Sequence, residues 1–154
     1  MQEPRPLSVY PAGMLYTRTQ SSRTSAGLLL LRILIGLAFV FHGMPKIQHF
    51  PGWMGPQAFA PVWLQGIVAL VEFVGGIAFI FGFLTPLVAF LIGIDMVTAI
   101  FMVHLPSGGH FVGGRMSFET PLFYLIAMIA FLLMGPGMYS IDAMLARRTP
   151  RAMP

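Results

Sequence analysis

Residues 62–84, VWLQGIVALVEFVGGIAFIFGFL, decide the fold. The run is long enough to cross a bilayer, whose ~30 Å hydrocarbon core takes about 20 apolar residues of helix. Its one carboxylate, Glu72, lies at the middle. A charge at that depth costs roughly 2.5–3.5 kcal/mol on insertion scales, so such residues face a bundle interior rather than lipid. Gln65, Ala69, Glu72 and Gly76 recur at spacings of three and four and so share one small, polar face.

Three further apolar runs flank this one, at about residues 26–44, 86–105 and 120–135. Together with 62–84 they predict an all-α protein, a four-transmembrane-helix bundle over residues 25–146. Thr24 or Ser25 is a candidate cap for the first helix, and Gly36 and Gly43 lie on one of its faces, allowing close helix approach. The sequence GFLTP (82–86) suits a helix stop followed by a restart, with Gly82 ending one helix and Thr85-Pro86 opening the next. The second and third helices are then joined by a tight turn and pack antiparallel. Thr120-Pro121 repeats the restart, Gly135-Pro136-Gly137 stops the fourth helix, and Ser140 with Asp142 opens a short C-terminal interfacial helix. The segment between the first two helices is broken by Pro45, Pro51, Pro56 and Pro61, and Trp53 and Trp63 read as interfacial anchors.

Composition agrees. Of 154 residues, 56% are hydrophobic and only 9% charged, where a soluble domain carries about 25% charged residues. The net charge of +4 sits largely at the ends: Arg5, Arg18 and Arg23 in the polar tail 1–24, and Arg147, Arg148 and Arg151 in the basic tail 147–154. The N-terminal tail lacks a signal-peptide pattern. With four spans both tails lie on one side, and the positive-inside rule makes that side the cytoplasm of a bacterial-type plasma (inner) membrane. The basic ends therefore point to lipid and not to nucleic acid. Cysteine is absent, which removes disulfides, thiol redox chemistry and Cys-ligated clusters. Twelve methionines and fourteen phenylalanines read as packing and lipid contact.

Two polar groups stand out. Along helices rising about 1.5 Å per residue, Glu72 and Asp95 both fall near the midplane, and Arg32 lies within side-chain reach of it. An Arg32–Glu72–Asp95 cluster could relay protons or hold a polar ligand; equally, it could be a charge pair that orients the helices. The second group lies toward the outer side and comprises His42, Lys46, His49, His104, His110 and Glu119. His42, Lys46 and Glu119 are candidate contacts for a quinone or other small amphiphile. A metal or haem site would have to draw on His42, His104 and His110, whose spacing matches no standard motif, so no metal is expected and haem is disfavoured. The bland alternative is ordinary interfacial histidines. No inverted repeat supports a solute or proton carrier.

Taken together, these residues resemble the DoxX/DoxD-like family of small four-helix membrane proteins. The resemblance covers about Leu30 to Asp142. It rests on Arg32, Gly36, His42-Gly43 and Lys46, then on Glu72, Gly75-Gly76, Gly82 and Thr85, then on Glu119 and the closing GPGMYSID (135–142). It implies a redox association, the family name coming from a subunit of a thiosulfate:quinone oxidoreductase. The expected function is a membrane subunit of a quinone-linked redox complex, with other membrane subunits as partners. The alternative is a non-catalytic accessory subunit that braces a larger assembly. Asp95 and the Pro-rich first loop are not part of the resemblance.

Overall fold

The computed structural model describes residues 20–114 and 116–148. The expected tail residues Arg5, Arg18 and Arg151, and the loop residue Arg115, lie outside them. The described residues form α1 (Ser22–Gln48), α2 (Val62–Phe81), α3 (Thr85–Thr98), α4 (Glu119–Met134) and α5 (Ile141–Arg148), with no strand among them. α3 continues without a break into a π-helical segment, Ala99–His104. Three of these units, residues 22–48, 62–81 and 85–104, are long and apolar enough to cross a membrane, and α4 is a shorter apolar helix. This is a helical membrane bundle. Leu30, Phe41, Leu70, Phe90, Phe101 and Leu133 are exposed, as side chains facing lipid are.

Several boundaries differ from the sequence expectation. α1 begins at Ser22, because Ser21 and neither Thr24 nor Ser25 is the cap, its hydroxyl accepting the Thr24 N–H at 3.2 Å. It also continues through Pro45 to Gln48. α2 ends at Phe81, and Gly82 closes it in the left-handed region, at φ 66°. Thr85 is the first residue of α3 rather than its cap. α4 starts at Glu119, one residue ahead of the expected Thr120.

α1 packs on α2, α2 on α3, and α3 on α4. The core between them holds Leu28, Phe39, Phe79, Ile92, Met128 and Phe131. Phe79 and Phe131 meet edge to face at 4.8 Å, and the Phe39 and Tyr124 rings lie 5.0 Å apart. The α1–α2 seam is made by glycine. A Cβ on Gly36 would come within 2.7 Å of the Gly76 carbonyl oxygen, and one on Gly43 within 2.5 Å of the Phe73 backbone nitrogen. As the chain ascends α1 from Gly36 to Gly43, its neighbours descend α2 from Gly76 to Phe73, so the pair is antiparallel with backbones in direct contact.

This geometry predicts that Gly36→Ala and Gly43→Ala each cost about 1–3 kcal/mol, because the obstructing atoms are backbone and the helices must separate. Gly27 lies in the same helix with nothing within 4 Å of an added Cβ. Gly27→Ala is expected to be neutral or to stabilise by up to about 1 kcal/mol. Thermal unfolding of the three variants in detergent micelles checks the contrast.

Candidate functional site: a charged wall on an apolar cavity

The buried face of α1 carries two cations, Arg32 and Lys46, on either side of Gly36 and Gly43. They lie roughly 20 Å apart along the axis at about 1.5 Å per residue. Gly43 brings α1 against Phe73, and one turn further on Lys46 meets the residue before Phe73. The Lys46 Nζ lies 2.6 Å from Glu72 Oε1, and the two side chains are 22% and 5% exposed. Asp95, on α3, comes within hydrogen-bonding reach of Glu72 and also feels the Lys46 charge. Glu72 Oε2 and Asp95 Oδ2 are both buried with no donor partner. A proton held between the two carboxyls satisfies both atoms and leaves the trio without net charge. If both ionise, the trio carries one uncompensated negative charge in an apolar surrounding.

The trio forms one wall of a cavity of about 830 Å³. That is the size of a pocket for a drug-sized molecule. The remaining lining is largely apolar, including Phe39, Leu64, Ile67, Val71 and Leu91. Trp53 covers the Lys46 side, its ring centroid 4.5 Å from Nζ, instead of anchoring at a lipid interface. Gln65 fixes that position. Its carbonyl accepts the Trp53 indole N–H at 3.2 Å, and its buried amide donates to Ala60 O at 2.8 Å. Trp63 is exposed to lipid. Thr98, Ala99, Val103 and His104, from the end of α3 and the π-helical segment, also line the cavity. π-Helical turns within α-helices recur at functional sites because they re-aim side chains.

Arg32 is not part of this wall. It is wholly buried at the other end of the seam, where its Nη2 donates to the Tyr139 carbonyl. Asp142 is the carboxylate that acts on it. Asp142 also caps α3, accepting the Leu84 and Thr85 N–H groups at 2.8 Å each, while its own N–H donates to the Gly82 carbonyl at 2.9 Å. Ser140 caps α5 by accepting the Ala143 N–H at 3.1 Å. Gly82 sits so tightly against this group that an added Cβ would lie 2.6 Å from the Ser140 Cβ. The expected Arg32–Glu72–Asp95 cluster is therefore replaced by Lys46–Glu72–Asp95. Arg32 points toward the C-terminal end of α2, roughly 15 Å from Glu72 at the rise of an α-helix.

His42 and His104 both line the cavity, and His110 does not. Among the described residues no group of three His, Asp or Glu side chains is placed to hold a metal ion. Glu119 is half-buried at the start of α4, next to the cavity residues Ser117, Thr120 and Pro121 but not itself in the lining.

A sequence profile of the DoxX family matches residues 27–105, the span that runs from α1 to the end of the π-helical segment. The chain belongs to the DoxX family. The inner membrane protein YqjF of Escherichia coli is 34% identical over 130 residues, covering 79% of this chain and 94% of that protein. The uncharacterized membrane protein Rv3486 of Mycobacterium tuberculosis is 33% identical over 132 residues, covering 77% and 80%. A Bacillus subtilis protein named "Putative oxidoreductase CatD" is 30% identical over 120 residues, covering 75% and 84%. No solved structure matches. In this DoxX chain the residues that carry the resemblance separate in space into two sets. Arg32, Gly82, Thr85, Ser140 and Asp142 gather at one end; Lys46 and Glu72 stand on the cavity wall, with Gly43 in the α1–α2 seam beside them.

The Lys46 pairing had a signal in the sequence. Lys46 follows Gly43 by three residues on the glycine face, so it points into the same seam. Trp53 had none, because its position depends on the path of a Pro-rich loop and on Gln65.

The closing end predicts that Asp142→Ala costs about 1–2 kcal/mol, because both capping hydrogen bonds of α3 are lost. Gly82→Ala should cost more, since it adds a side chain at positive φ against a buried guanidinium. Gly75, whose added Cβ would make an ordinary 3.5 Å contact with Val88 Cγ1, is the control. Thermal unfolding in micelles ranks the three.

Proposed function

We propose that this DoxX protein is the quinone-binding membrane subunit of a redox complex, set in a bacterial inner-type membrane with both termini in the cytoplasm. The observation that carries the reading is the Lys46–Glu72–Asp95 chain on one wall of an apolar cavity of about 830 Å³. A quinone has a polar headgroup and an apolar body, and this cavity offers both environments. Its reduction takes two electrons and two protons. The carboxyl pair lies where it can exchange a proton with the headgroup, and Lys46 stabilises whichever carboxyl is left ionised. The chain has no cysteine, and the electrons come from a partner subunit. The oxidoreductase name given to the B. subtilis relative supports a redox setting. The arginines in both terminal segments support the orientation.

The test is the complex purified from its native membrane, assayed for quinone reduction with wild type and Glu72→Gln. The expected result is a loss of turnover of ~10²-fold or more, the usual scale for a positioned acid–base group, with the same co-purifying chains. Unchanged turnover with unchanged complex yield would contradict the proposal and favour a subunit that only braces the assembly.

A further inference from the structure

Every residue that lines the large cavity belongs to one half of the bundle. On α1 the lining runs from Phe39 to Lys46, on α2 from Leu64 to Glu72, and on α3 with its π-helical segment from Leu91 to His104. On α4 it stops at Tyr124, and the loops after α1 and after the π-helical segment supply Trp53, Met54, Gly114 and Ser117. This is the end of the bundle remote from α5 and from the start of α1. Toward the other end the same helix faces are packed with apolar side chains. Phe79 lies two turns beyond Glu72 on its face and is wholly buried, edge to face with Phe131 at 4.8 Å. Ile92, about one turn from Asp95, and Met128 are wholly buried beside them. Phe39 and Tyr124, with rings 5.0 Å apart, join this layer to the cavity floor. The charges behind the layer are Arg32 and Asp142, and neither lines this cavity or the smaller one between α3 and α4.

The titratable groups that share the cavity with the Glu72–Asp95 pair are His42 and Lys46 on α1, His104 on the π-helical segment and Tyr124 on α4. His42 Nδ1 lies 2.7 Å from the Ala38 carbonyl, and His104 Nδ1 lies 3.1 Å from the Met116 carbonyl. A carbonyl oxygen only accepts, so each Nδ1 carries the hydrogen, and each ring can take up and return a proton at Nε2 without losing that bond. Thr98, Ser117 and Thr120 add hydroxyls to the lining, the polar partners that a water path needs. A proton leaving the pair toward the other end would cross Phe79, Ile92, Met128 and Phe131, whose side chains offer it no acceptor. We infer that the Glu72–Asp95 pair exchanges its proton with one side alone, the compartment facing the loops after α1 and after the π-helical segment. The inference stands on the shape of the cavity. Joined to the quinone-site reading, it assigns the side on which turnover takes up or releases protons.

The experiment uses the full chain in sealed phosphatidylcholine vesicles, with the pH inside and outside set separately. Dicyclohexylcarbodiimide, which crosses lipid and adds to protonated carboxyls, is applied, and adducts on Glu72 and Asp95 are located by peptide mass spectrometry. Each pH unit above the pair's titration midpoint lowers the protonated fraction about tenfold. The adducts are expected to follow that fall when pH is raised on the loop side, and to be unchanged when it is raised on the α5 side. The chain has no cysteine, so single-cysteine variants report access without background. A charged, membrane-impermeant thiol reagent should label Thr98→Cys from the loop side alone. Ser22→Cys, at the exposed start of α1, is labelled from the opposite side and marks the orientation. Adducts that follow the pH of the α5 side, or of both sides equally, overturn the inference and leave the quinone site standing. Labelling of Thr98→Cys from the α5 side, or from neither side, does the same. Adducts on neither carboxyl at any pH overturn the inference together with the quinone-site reading, since the pair then holds no proton to exchange.

Discussion

A carboxylate inside a membrane must find a partner, and the ion pair between Lys46 and Glu72 is the answer on which this structure depends. The pair forms only because α1 and α2 touch backbone to backbone. Gly36 against Gly76 and Gly43 against Phe73 remove the side chains that would hold the helices apart. Lys46 is then carried to Glu72 by the register of that seam. Lipid tails give helices little hydrophobic reason to associate, so small-residue contact and a shared polar pair are the forces available. Because a buried pair contributes little net stability once desolvation is counted, its geometric effect matters more. It locks the antiparallel register and presents the second Glu72 oxygen to Asp95.

The intramembrane charges divide into two sets with different work. Arg32 is buried against the Tyr139 carbonyl, within the field of Asp142 and with Gly82 pressed against it. It ties the turn between α2 and α3 to the segment leading into α5. Neither the cavity at Glu72 nor the smaller one of about 260 Å³ between α3 and α4 is lined by Arg32. The other set, Lys46 with Glu72 and Asp95, borders open space. Arg32 is enclosed, its Nε and Nη1 buried without a hydrogen-bond partner, whereas Lys46 borders a cavity large enough for a ligand. The π-helical segment belongs to the second set, since it carries Val103 and His104 into the cavity wall.

Much of this was legible in the sequence, and the failures are instructive. Length and hydropathy gave the helices, GFLTP gave the antiparallel turn, and the spacing of Gly36 and Gly43 gave the close seam. Helical rise converts residue count into depth, which puts Glu72 and Asp95 at a similar level of the bundle. Arg32 was misplaced because depth fixes where a Cα sits, while a long side chain reaches several ångströms toward either end. Lys46 was assigned to a separate outer group for the converse reason: it reaches inward from the end of α1. The capping of α3 by Asp142 joins residues far apart in the chain, and local pattern reading, which looked for a cap at Thr85, could not see it. Trp53 was read as an anchor from residue type alone, whereas Gln65 holds it over Lys46.

The reassignment of Glu72's partner is the claim from which the rest follows, and coupling energies test it most directly. Glu72→Gln is combined in one double-mutant cycle with Lys46→Met and in another with Arg32→Lys, each read by unfolding in detergent. The structure predicts a coupling of about 1–3 kcal/mol for the Lys46 cycle. For the Arg32 cycle it predicts additivity within about 0.5 kcal/mol, as for sites that share no partner. Strong coupling to Arg32 with additivity at Lys46 would contradict the account.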